Sequence, residues 1–388
     1  MDEKAEIKLR QLIKQTAEKG KAITFCVLGA GHGGMAMAGH LSIMGFPVRL
    51  YNRTDEKLNA VRWHGGIRVG GEVEGFGKIE IATSNIEEAI TGADVLMIVT
   101  PSTAHKFLAE SCAPYLKDGQ IIVLNPGRTG GALEFKKTLK DNKSEALVIV
   151  SETQTFIYAS RAVSGAEANI YRIKNAVALA TLPAHWISET LDVIKQAFSQ
   201  FVAGDNVLKT SLDNIGAVFH PALTIMNAGW IENTHGRFEY YLDGVTPSVA
   251  KILEAIDRER VAVAEKLGIR VLSAREWLYL TYDSSGKNLY EAMQESSGYK
   301  GINAPPNINH RYIFEDVPMS LVPLYSIGQM LGINMPTIRA IIDFACIMHE
   351  KDYYKSGRTA ESLGLSGLSV KEIIQLVAGV EKPPEEPL

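Results

Sequence analysis

The chain has 388 residues, of which 46% are hydrophobic and 22% charged, a composition typical of a globular protein. Its length predicts two domains. Its 40 Lys and Arg residues against 44 Asp and Glu residues leave a formal net charge of −4, so no broad basic surface is expected for a nucleic acid. The longest apolar runs fall far short of the roughly 20 residues that cross a bilayer, which argues against a membrane-spanning protein.

The first twenty residues combine apolar positions at nearly helical spacing with many charged ones, which predicts a surface helix. Because this segment lacks the apolar core of a secretory signal, we expect a cytoplasmic protein. The 3 cysteines are widely scattered and predict neither disulfides nor a zinc site. The histidines show no paired metal-binding spacing, so the sequence predicts no metal.

A strand, a glycine-rich turn and a helix follow in that order. The apolar run at residues 23–28 predicts a buried parallel strand, a helix is expected over residues 34–44, and residues 48–51 predict a second strand. Further strand-like apolar runs occur at residues 94–99, 120–124 and 147–150. Strands that alternate with helices in this way predict a doubly wound α/β domain of the Rossmann type, over residues 1–205.

Beyond about residue 205, helical periodicity replaces the strand-like runs, and a mostly α-helical C-terminal domain is expected over residues 206–388. The predicted helices lie at residues 208–232, 248–267, 321–331 and 336–349. Residues 282–312 are rich in Gly, Ser, Asn and Pro and predict a long ordered loop. The tail, residues 381–388, is rich in proline and glutamate and predicts disorder.

Gly29, Gly31 and Gly34 fit the GxGxxG fingerprint of a dinucleotide-binding turn. The first glycine permits the tight turn, the second lets a pyrophosphate approach the backbone, and the third lets helix and strand pack closely. The motif follows a predicted strand and opens a predicted helix. We therefore predict that it binds a dinucleotide, with His32 and Gly33 among the contacting residues. A glycine-rich turn that binds nothing is the alternative.

The choice of cofactor depends on the end of the second strand, where an acidic residue would accept hydrogen bonds from the ribose 2′-OH of NAD. Asn52 stands there, followed by Arg53, whose guanidinium could bind a 2′-phosphate through two hydrogen bonds. NADP(H) is therefore favoured, while Asp55 nearby keeps NAD(H) as an alternative. Thr100 and Pro101 follow another predicted strand at its carboxyl end, where ligands bind in such sheets, so both are predicted to contact the cofactor.

In the helical half, His220 lies in an otherwise apolar stretch. Histidine is the side chain best suited to proton transfer near neutral pH, although a lone histidine is more often a core residue. The exit of the long loop brings Arg311, Glu315 and Asp316 close together in sequence. Charges at that density need partners if they are buried, so an internal ion-pair network is the alternative to a functional site.

Four groups of residues are shared with one protein family: Gly29 to Gly34; Glu152-Thr153 with Tyr158 and Arg161; Asn214 with His220-Pro221 and residues 227–229; and Arg311-Tyr312 with residues 315–318. Along nearly the whole chain the sequence resembles the opine dehydrogenase family, the octopine and nopaline dehydrogenase group. In that family such a histidine and aspartate form the catalytic pair, and such an arginine binds the keto-acid carboxylate. The resemblance thus assigns these roles to His220, Asp316 and Arg311.

Glu315 is the alternative to Asp316 in that pair. The resemblance makes Tyr158, Arg161 and Asn227 candidates for substrate contact, although packing or surface hydrogen bonding accounts for each if it is taken alone. The family's Pro-Tyr-x-Cys-Arg is here Ile-Tyr-Ala-Ser-Arg, at residues 157–161, so a contact to the amino acid is expected to differ.

The resemblance implies an NAD(P)H-dependent reductive condensation of an amino acid with an α-keto acid such as pyruvate. The second hypothesis is an NAD(P)-dependent dehydrogenase of a simple hydroxy or keto acid. The third is a nucleotide-binding sensor that has lost its chemistry. The expected partners are these small molecules, and apolar helix faces are compatible with a homodimer.

Overall fold

The computed structural model describes residues 3–379, and contacts divide them into two units. The first unit comprises residues 3–210 and 372–379, and the second comprises residues 211–371. The predicted boundary after residue 205 differs from this division, chiefly because residues 372–379 group with the first unit. In that segment Ile373 and Val377 are buried, and the carbonyl oxygen of Ala378 lies 3.4 Å from His185 Nδ1. The tail predicted to be disordered lies outside the described residues.

The strands lie between residues 25 and 203 and form two sheets. They are β1 (Phe25–Leu28), β2 (Val48–Tyr51), β3 (Gly66–Gly71), β4 (Gly75–Lys78), β5 (Ile81–Thr83), β6 (Val95–Ile98), β7 (Ile121–Leu124), β8 (Ile149–Thr153), β9 (Tyr158–Ser164), β10 (Glu167–Ile173), β11 (Val177–Leu182) and β12 (Phe201–Ala203). The larger sheet has 8 strands in the order β12-β11-β8-β7-β6-β1-β2-β5. Its neighbouring strands are parallel except for β11 and β8, which confirms the predicted doubly wound domain.

The central strands of this sheet are covered on both faces, as a mainly parallel sheet requires. The helices of the first unit are α1 (Glu3–Glu18), α2 (His32–Ile43), α3 (Asn59–His64), α4 (Ile86–Ile90), α5 (His105–Cys112), α6 (Gly131–Asp141) and α7 (Ile187–Ile194). All four residues of each central strand, β1, β6 and β7, are buried. This burial explains why these strands read as continuous apolar runs rather than as alternating ones.

The smaller sheet has 4 strands in the order β4-β3-β10-β9, and the sequence did not predict it. Two features concealed it. Strands β3 and β4 are rich in glycine, which is depleted in strands, and β9 alternates between exposed and partly buried residues. In addition, β3 pairs in parallel with β10, a partner remote in sequence, so no hairpin signal marks the pairing.

The described part of the second unit is built from helices, as predicted. After α8 (Val207–Leu212) at the boundary come α9 (Gly216–Met226), α10 (Ala228–Thr234), α11 (Pro247–Lys266), α12 (Ala274–Tyr282), α13 (Leu289–Gln294), α14 (Arg311–Phe314), α15 (Val322–Met330), α16 (Pro336–Met348) and α17 (Tyr353–Ser356). The last helix, α18 (Val370–Ala378), begins in the second unit and belongs to the first from residue 372 onward. The predicted helix over residues 208–232 is divided into α8, α9 and α10. Within residues 3–379, no helix combines the length and apolarity needed to cross a membrane.

The predicted loop over residues 282–312 contains α13 and a 3₁₀ turn at residues 297–299, and α14 begins at its end; the predictions placed no helix at α12. Both α12 and α13 begin at side-chain caps that the sequence displays. Ser273 and Glu276 form a reciprocal capping box at the start of α12, and Asn288 Oδ1 accepts the Glu291 N–H, 2.9 Å away, at the start of α13. Ser273 and Asn288 are thus sequence signals for the starts of these two helices.

Candidate functional site

The glycine-rich turn between β1 and α2 has the geometry that a dinucleotide needs. Gly29 has a φ of +119°, and a Cβ there would lie 2.6 Å from the Val99 carbonyl oxygen. A Cβ at Gly34 would lie 1.6 Å from the Gly29 carbonyl oxygen, so α2 begins in backbone contact with the turn. At Gly31, however, a Cβ would have no neighbour within 4 Å. The turn is therefore closed on the protein side and open beside the helix start.

The start of α2 fits the phosphates of a dinucleotide. Gly31 is the N-cap residue, and no side chain caps the helix. Backbone N–H groups at such a start attract anions. A Cβ at Gly33 would lie 2.7 Å from the Phe156 ring, so this glycine is required by close packing. These observations support the predicted binding of a dinucleotide at this turn.

Two residues predicted to contact the cofactor also brace the turn. His32 is exposed, and its Nδ1 accepts the Ala162 N–H from β9, 3.0 Å away. Asn52 Oδ1 accepts the Ala30 N–H, 3.1 Å away, and Asn52 Nδ2 donates to the Thr54 carbonyl oxygen, 2.9 Å away. These hydrogen bonds to His32 Nδ1 and Asn52 Oδ1 thus help to hold the turn in place.

Two charged residues follow β2 and have different surroundings. Arg53 is exposed, with its guanidinium carbon 5.9 Å from the centroid of the Phe107 ring, and it forms no ion pair within residues 3–379. Asp55 pairs with Arg62, with 2.7 Å between Oδ1 and Nη2. The hydrogen bond from Arg62, aided by one from Ser84, lowers the pKa of the Asp55 carboxyl. The carboxylate therefore already has a cationic partner, whereas the Arg53 guanidinium faces solvent.

Buried polar atoms without partners lie where β6 and β7 end. Thr100 Oγ1, after β6, and Asn125 Oδ1, after β7, are buried and accept or donate no hydrogen bond within the described part of the chain. Pro101 is exposed and precedes a 3₁₀ turn at residues 102–104. Parallel strands present their carboxyl ends to ligands, so these atoms mark the ligand edge of the sheet.

In the second unit, α9 brings His220 against Asp316, 96 positions further along the chain. The distance between His220 Nδ1 and Asp316 Oδ2 is 2.8 Å, and the Asp316 side chain has no exposed surface. A carboxylate can only accept, so Nδ1 carries the proton and Nε2 is left as the acceptor of the neutral ring. The His220 side chain keeps 19% of its surface exposed. The pair is thus arranged for proton transfer at Nε2.

Arg311 and Glu315 form a second pair, one turn apart on the same helical segment. Arg311 Nε and Nη2 lie 2.8 and 2.7 Å from Glu315 Oε2. The Glu315 side chain is 2% exposed and the Arg311 side chain 50%. The carboxylate therefore holds one edge of the guanidinium, while the rest of the guanidinium reaches solvent and can bind an anion.

Aromatic rings stack beside the imidazole of His220. The Tyr312 ring stacks on the imidazole, with 4.1 Å between centroids and 17° between planes. Tyr240 stacks on Tyr312 in turn, 5.4 Å away, and its hydroxyl donates to the His220 carbonyl oxygen, 3.0 Å away. The sequence singled out Tyr312 only as part of the family resemblance and gave no signal for Tyr240, which is distant along the chain.

A π-helical turn, Val317–Leu321, directly follows Asp316. Such turns are rare and occur often at functional sites. Ser320 in this turn accepts a hydrogen bond from Asn214 Nδ2, 2.9 Å away. This bond ties the segment that carries Asp316 to the residues before α9, and so it helps to set the position of the aspartate relative to His220.

The three candidates for substrate contact have different positions. Tyr158 is 5% exposed, and its hydroxyl bonds to His40 Nδ1, 2.8 Å away; burial lowers the pKa of His40 to about 4, so that ring is neutral. Asn227 Nδ2 donates to the carbonyl oxygens of Leu223 and Gly244, 2.9 and 3.0 Å away. Tyr158 and Asn227 thus have hydrogen-bond partners within the fold, and Arg161 is exposed on β9. Substrate contact stays a prediction for all three.

No three His, Cys, Asp or Glu side chains within residues 3–379 are grouped in a way that could hold a metal ion. The free cysteines Cys26 and Cys112 are buried, and burial raises the pKa of each thiol, that of Cys112 to about 12. Their thiols are therefore protonated and lack the nucleophilic form.

Two family models match the chain. The model described as NAD-dependent glycerol-3-phosphate dehydrogenase N-terminus matches residues 24–151. The model described as NAD/NADP octopine/nopaline dehydrogenase, alpha-helical domain, matches residues 203–349. These ranges cover the dinucleotide turn in the first case and the His220 region in the second.

Several curated proteins and solved structures are similar to this chain over most of their length. An opine dehydrogenase of Arthrobacter sp. (strain 1C) is 39% identical over 351 residues, which cover 90% of this chain and 97% of the relative. The octopine dehydrogenase of Pecten maximus is 24% identical over 374 residues, 86% of this chain and 92% of the relative. A solved octopine dehydrogenase with NADH and L-arginine has a TM-score of 0.78 at 21% identity and covers 94% of this chain and 100% of its own. Yersinopine dehydrogenase with NADP⁺ bound has a TM-score of 0.67 at 16% identity, with 93% and 98% covered.

Proposed function

This chain belongs to the opine dehydrogenase family, and we propose that its His220, held by Asp316, moves the protons of the family's reaction. The protein is an NAD(P)-dependent oxidoreductase that acts on CH–NH groups and condenses an amino acid with an α-keto acid reductively. The observation that carries the proposal is the 2.8 Å bond between the imidazole and a fully buried carboxylate. This bond leaves the other ring nitrogen to serve the substrate.

The dinucleotide turn would hold the cofactor. Gly31 leaves the open space that a pyrophosphate needs, and the backbone N–H groups at the start of α2 would bind its oxygens. The buried Thr100 hydroxyl at the end of β6 would gain in the cofactor the partner that it lacks within the described residues. When bound, the nicotinamide supplies the hydride that reduces the condensation product.

His220 serves the steps that need a proton. Attack of the amine on the keto carbon gives a carbinolamine, whose hydroxyl must take up a proton before it leaves as water. His220 Nε2 would accept the amine's proton and then give it to that hydroxyl, leaving an imine. The imine nitrogen needs one further proton as its carbon is reduced, and the same ring would deliver that proton from solvent. Asp316 fixes the ring orientation and stabilises the protonated imidazole by its negative charge. Water leaves, and the histidine returns to its starting state.

Arg311 would bind the carboxylate of the keto acid. Glu315 fixes the Nε edge of the guanidinium, so the exposed N–H groups are oriented before a substrate arrives. A substrate held in this way presents its keto carbon in one orientation, which lowers the entropic cost of reaction. Arg311 thus has a positioning task, and His220 has the chemical one.

Replacement of Arg311 by lysine should raise the KM for pyruvate by about tenfold or more, because an ammonium cannot bind Glu315 and the substrate through one planar group. Initial rates against pyruvate concentration measure this. The matched control is Arg339→Lys, since Arg339 also pairs with a carboxylate four residues on, Asp343, but is 65% exposed on α16. An unchanged KM in the Arg311 variant would remove the arginine from substrate binding.

We propose NADP(H) as the preferred cofactor, with Arg53 as the group that binds the 2′-phosphate. The arginine is exposed and forms no ion pair within residues 3–379, and the neutral Asn52 precedes it, so no carboxylate at the strand end repels the phosphate. Asp55 is held by Arg62 instead. NAD(H) is the alternative cofactor, but no acidic side chain at the end of β2 is left to accept hydrogen bonds from its ribose 2′-OH.

Arg53→Ala should raise the Kd for NADPH by about tenfold or more, the loss expected for a charge-assisted contact, and leave the Kd for NADH within about twofold. Fluorescence titration of the reduced cofactors gives both constants. Arg68→Ala is the control, since Arg68 is an exposed arginine on β3 in the other sheet. Equal losses for NADPH and NADH would contradict the proposed role of Arg53.

The test of the whole proposal is the amine requirement of cofactor oxidation. Purified enzyme is mixed with NADPH or NADH, pyruvate and single amino acids, and the loss of reduced-nicotinamide absorbance is followed. Oxidation that needs both keto acid and amine supports the proposal. Oxidation with the keto acid alone would show a hydroxy-acid dehydrogenase, and cofactor binding without any oxidation would favour a sensor.

The partners of the chain are small molecules, an amino acid and a keto acid. A homodimer and a cytoplasmic location, which we expected from the sequence, stay predictions. Light scattering on the purified protein tests the first, and cell fractionation tests the second.

A further inference from the structure

Lys174 lies at the ligand edge of the large sheet and has no role in the mechanism above. It directly follows β10 and precedes β11, which pairs antiparallel with β8. The first residues of β11 therefore lie beside the carboxyl end of β8, where Thr155 follows the strand. Lys174 Nζ donates to Thr155 Oγ1, 2.7 Å away.

The next residue, Phe156, connects this position to the cofactor turn. Its ring packs against Gly33, so closely that a Cβ on that glycine would lie 2.7 Å from the ring. The loop that binds Lys174 thus packs on the first turn of α2. Lys174 therefore lies at the same edge of the sheet as the dinucleotide turn. Its ammonium is bound by Thr155, and the next residue, Phe156, contacts that turn.

The Lys174 ammonium lacks an anionic partner. Within residues 3–379, no carboxylate lies within ion-pair distance of Nζ, and its hydrogen bond goes to a neutral hydroxyl. Burial, together with the charge of Arg128, lowers the pKa of this lysine to about 8. A partly buried cation beside a second cation is unfavourable for folding unless an anion binds there.

Arg128 adds an independent observation at the same edge. It follows β7 and has a φ of +59°, a left-handed conformation that is unusual for a residue other than glycine. Backbone strain of this kind clusters at ligand sites, where the surrounding structure maintains it. Arg128 after β7 and Lys174 shortly before β11 therefore contribute positive charge from the two strands that flank β8.

We propose that Lys174 binds the carboxylate of the amino-acid substrate, an inference that rests on the proposed function. The reaction brings three kinds of anionic group. The start of α2 and Arg53 would serve the cofactor phosphates, and Arg311 would serve the keto-acid carboxylate. The amino-acid carboxylate is the one anion for which the proposed function names no cation, and Lys174 is a cation without an anion.

The hydrogen bonding of Lys174 suits this task. An ammonium has three N–H donors, and the Thr155 hydroxyl takes one of them. The remaining donors can bind a carboxylate through charge-assisted hydrogen bonds, which are stronger than neutral ones. Thr155 is a positioning residue, because it directs the ammonium without touching the substrate.

The experiment compares Lys174→Met with Lys174→Arg and with the control Lys136→Met. Lys136 is also a largely buried lysine with a pKa lowered by burial, but it lies on α6, with Nζ 3.4 Å from the Val148 carbonyl oxygen. Each enzyme is assayed with the best amino acid of the panel and with the amine that lacks only its carboxylate. Cofactor Kd, pyruvate KM and thermal midpoint are measured in parallel.

We expect Lys174→Met to raise the amino-acid KM by about tenfold or more, while the amine without a carboxylate is used as by wild type. The arginine variant should retain most of the preference for the carboxylate, and Lys136→Met should match wild type in every constant. The thermal midpoint of Lys174→Met should be equal to or above that of wild type, because an uncompensated charge is removed. A thermal midpoint at or above that of wild type would show that the raised amino-acid KM does not come from a failure to fold.

Three results would overturn the inference. An amino-acid KM within about twofold of wild type, in an active Lys174→Met enzyme, shows that the lysine does not bind the carboxylate. A change confined to the cofactor Kd shows that it binds a phosphate instead. If the methionine variant unfolds, Thr155→Val takes its place, and an unchanged amino-acid KM there counts against the proposal. A wild-type enzyme without amine-dependent oxidation refutes the proposed function itself, and this inference with it.

Discussion

The His220→Ala enzyme should show a kcat lowered by about a hundredfold or more, with cofactor affinity unchanged. The reason is that Asp316 holds Nδ1, which makes Nε2 of this one ring the proposed proton carrier. Stopped-flow or steady-state absorbance measures kcat, and fluorescence titration measures the cofactor Kd. A kcat within about threefold of wild type would remove His220 from the mechanism.

The control and the partner variant sharpen this test. His235→Asn is the control, because His235 is exposed at the end of α10 and its φ of +51° is one that asparagine tolerates. Asp316→Asn should also lower kcat by about a hundredfold, since its amide no longer stabilises the protonated ring. The double variant should be little worse than His220→Ala alone, because both residues act through the same nitrogen. Fully multiplicative effects would show that Asp316 acts independently of the histidine.

Gly34→Ala should destabilise the first unit by about 3 kcal/mol or more and abolish cofactor binding. A methyl group there would lie 1.6 Å from the Gly29 carbonyl oxygen, so either α2 or the turn must move. Urea unfolding measures the free energy, and fluorescence titration with NADPH measures binding. A variant with wild-type stability would mean that the turn yields without cost, which the closeness of two backbone segments argues against.

Gly31→Ala separates binding from folding at the same turn. Its Cβ would meet no atom within 4 Å, so the free energy of unfolding should change by less than about 1 kcal/mol. The methyl group would occupy the space that the pyrophosphate approaches, so the NADPH Kd should rise by about tenfold or more. Gly229→Ala on α10 is the control, since its Cβ is also unobstructed and alanine favours a helix. Gly229→Ala should lower neither the free energy of unfolding nor the affinity for NADPH. Unchanged NADPH affinity in Gly31→Ala would place the phosphates elsewhere.

The sequence predicts the parts of this fold that local pattern determines. The run at residues 48–51 coincides with β2, and α2 begins two residues before its predicted start, because β1, the turn and α2 are neighbours in the chain. The small sheet has no such local signal. Arg68 on β3 aligns with Glu167 on β10, and glycines replace the β-branched residues that mark a strand. Pairing at such a separation is decided by tertiary packing.

The site shows the same division between local and remote information. The resemblance to the family paired His220 with Asp316 and kept Glu315 as the alternative, but local pattern alone does not choose between the two carboxylates. Glu315 and Asp316 are adjacent, and neighbouring residues of a helical segment point in different directions. The structure gives Glu315 to Arg311 and Asp316 to His220. Tyr158 reads as a polar candidate in sequence, whereas its position beside His40 and Phe198 is set by packing.

The return of residues 372–379 to the first unit makes that unit discontinuous in sequence. The chain leaves it after Thr210, builds the whole second unit, and then comes back, so the second unit has the topology of an insertion with two covalent connections. During synthesis the ribosome delivers the last piece of the dinucleotide-binding unit only after the complete helical unit has been made. A fragment that stops at residue 210 therefore lacks the buried Ile373 and Val377, and we expect it to be less stable than the complete first unit.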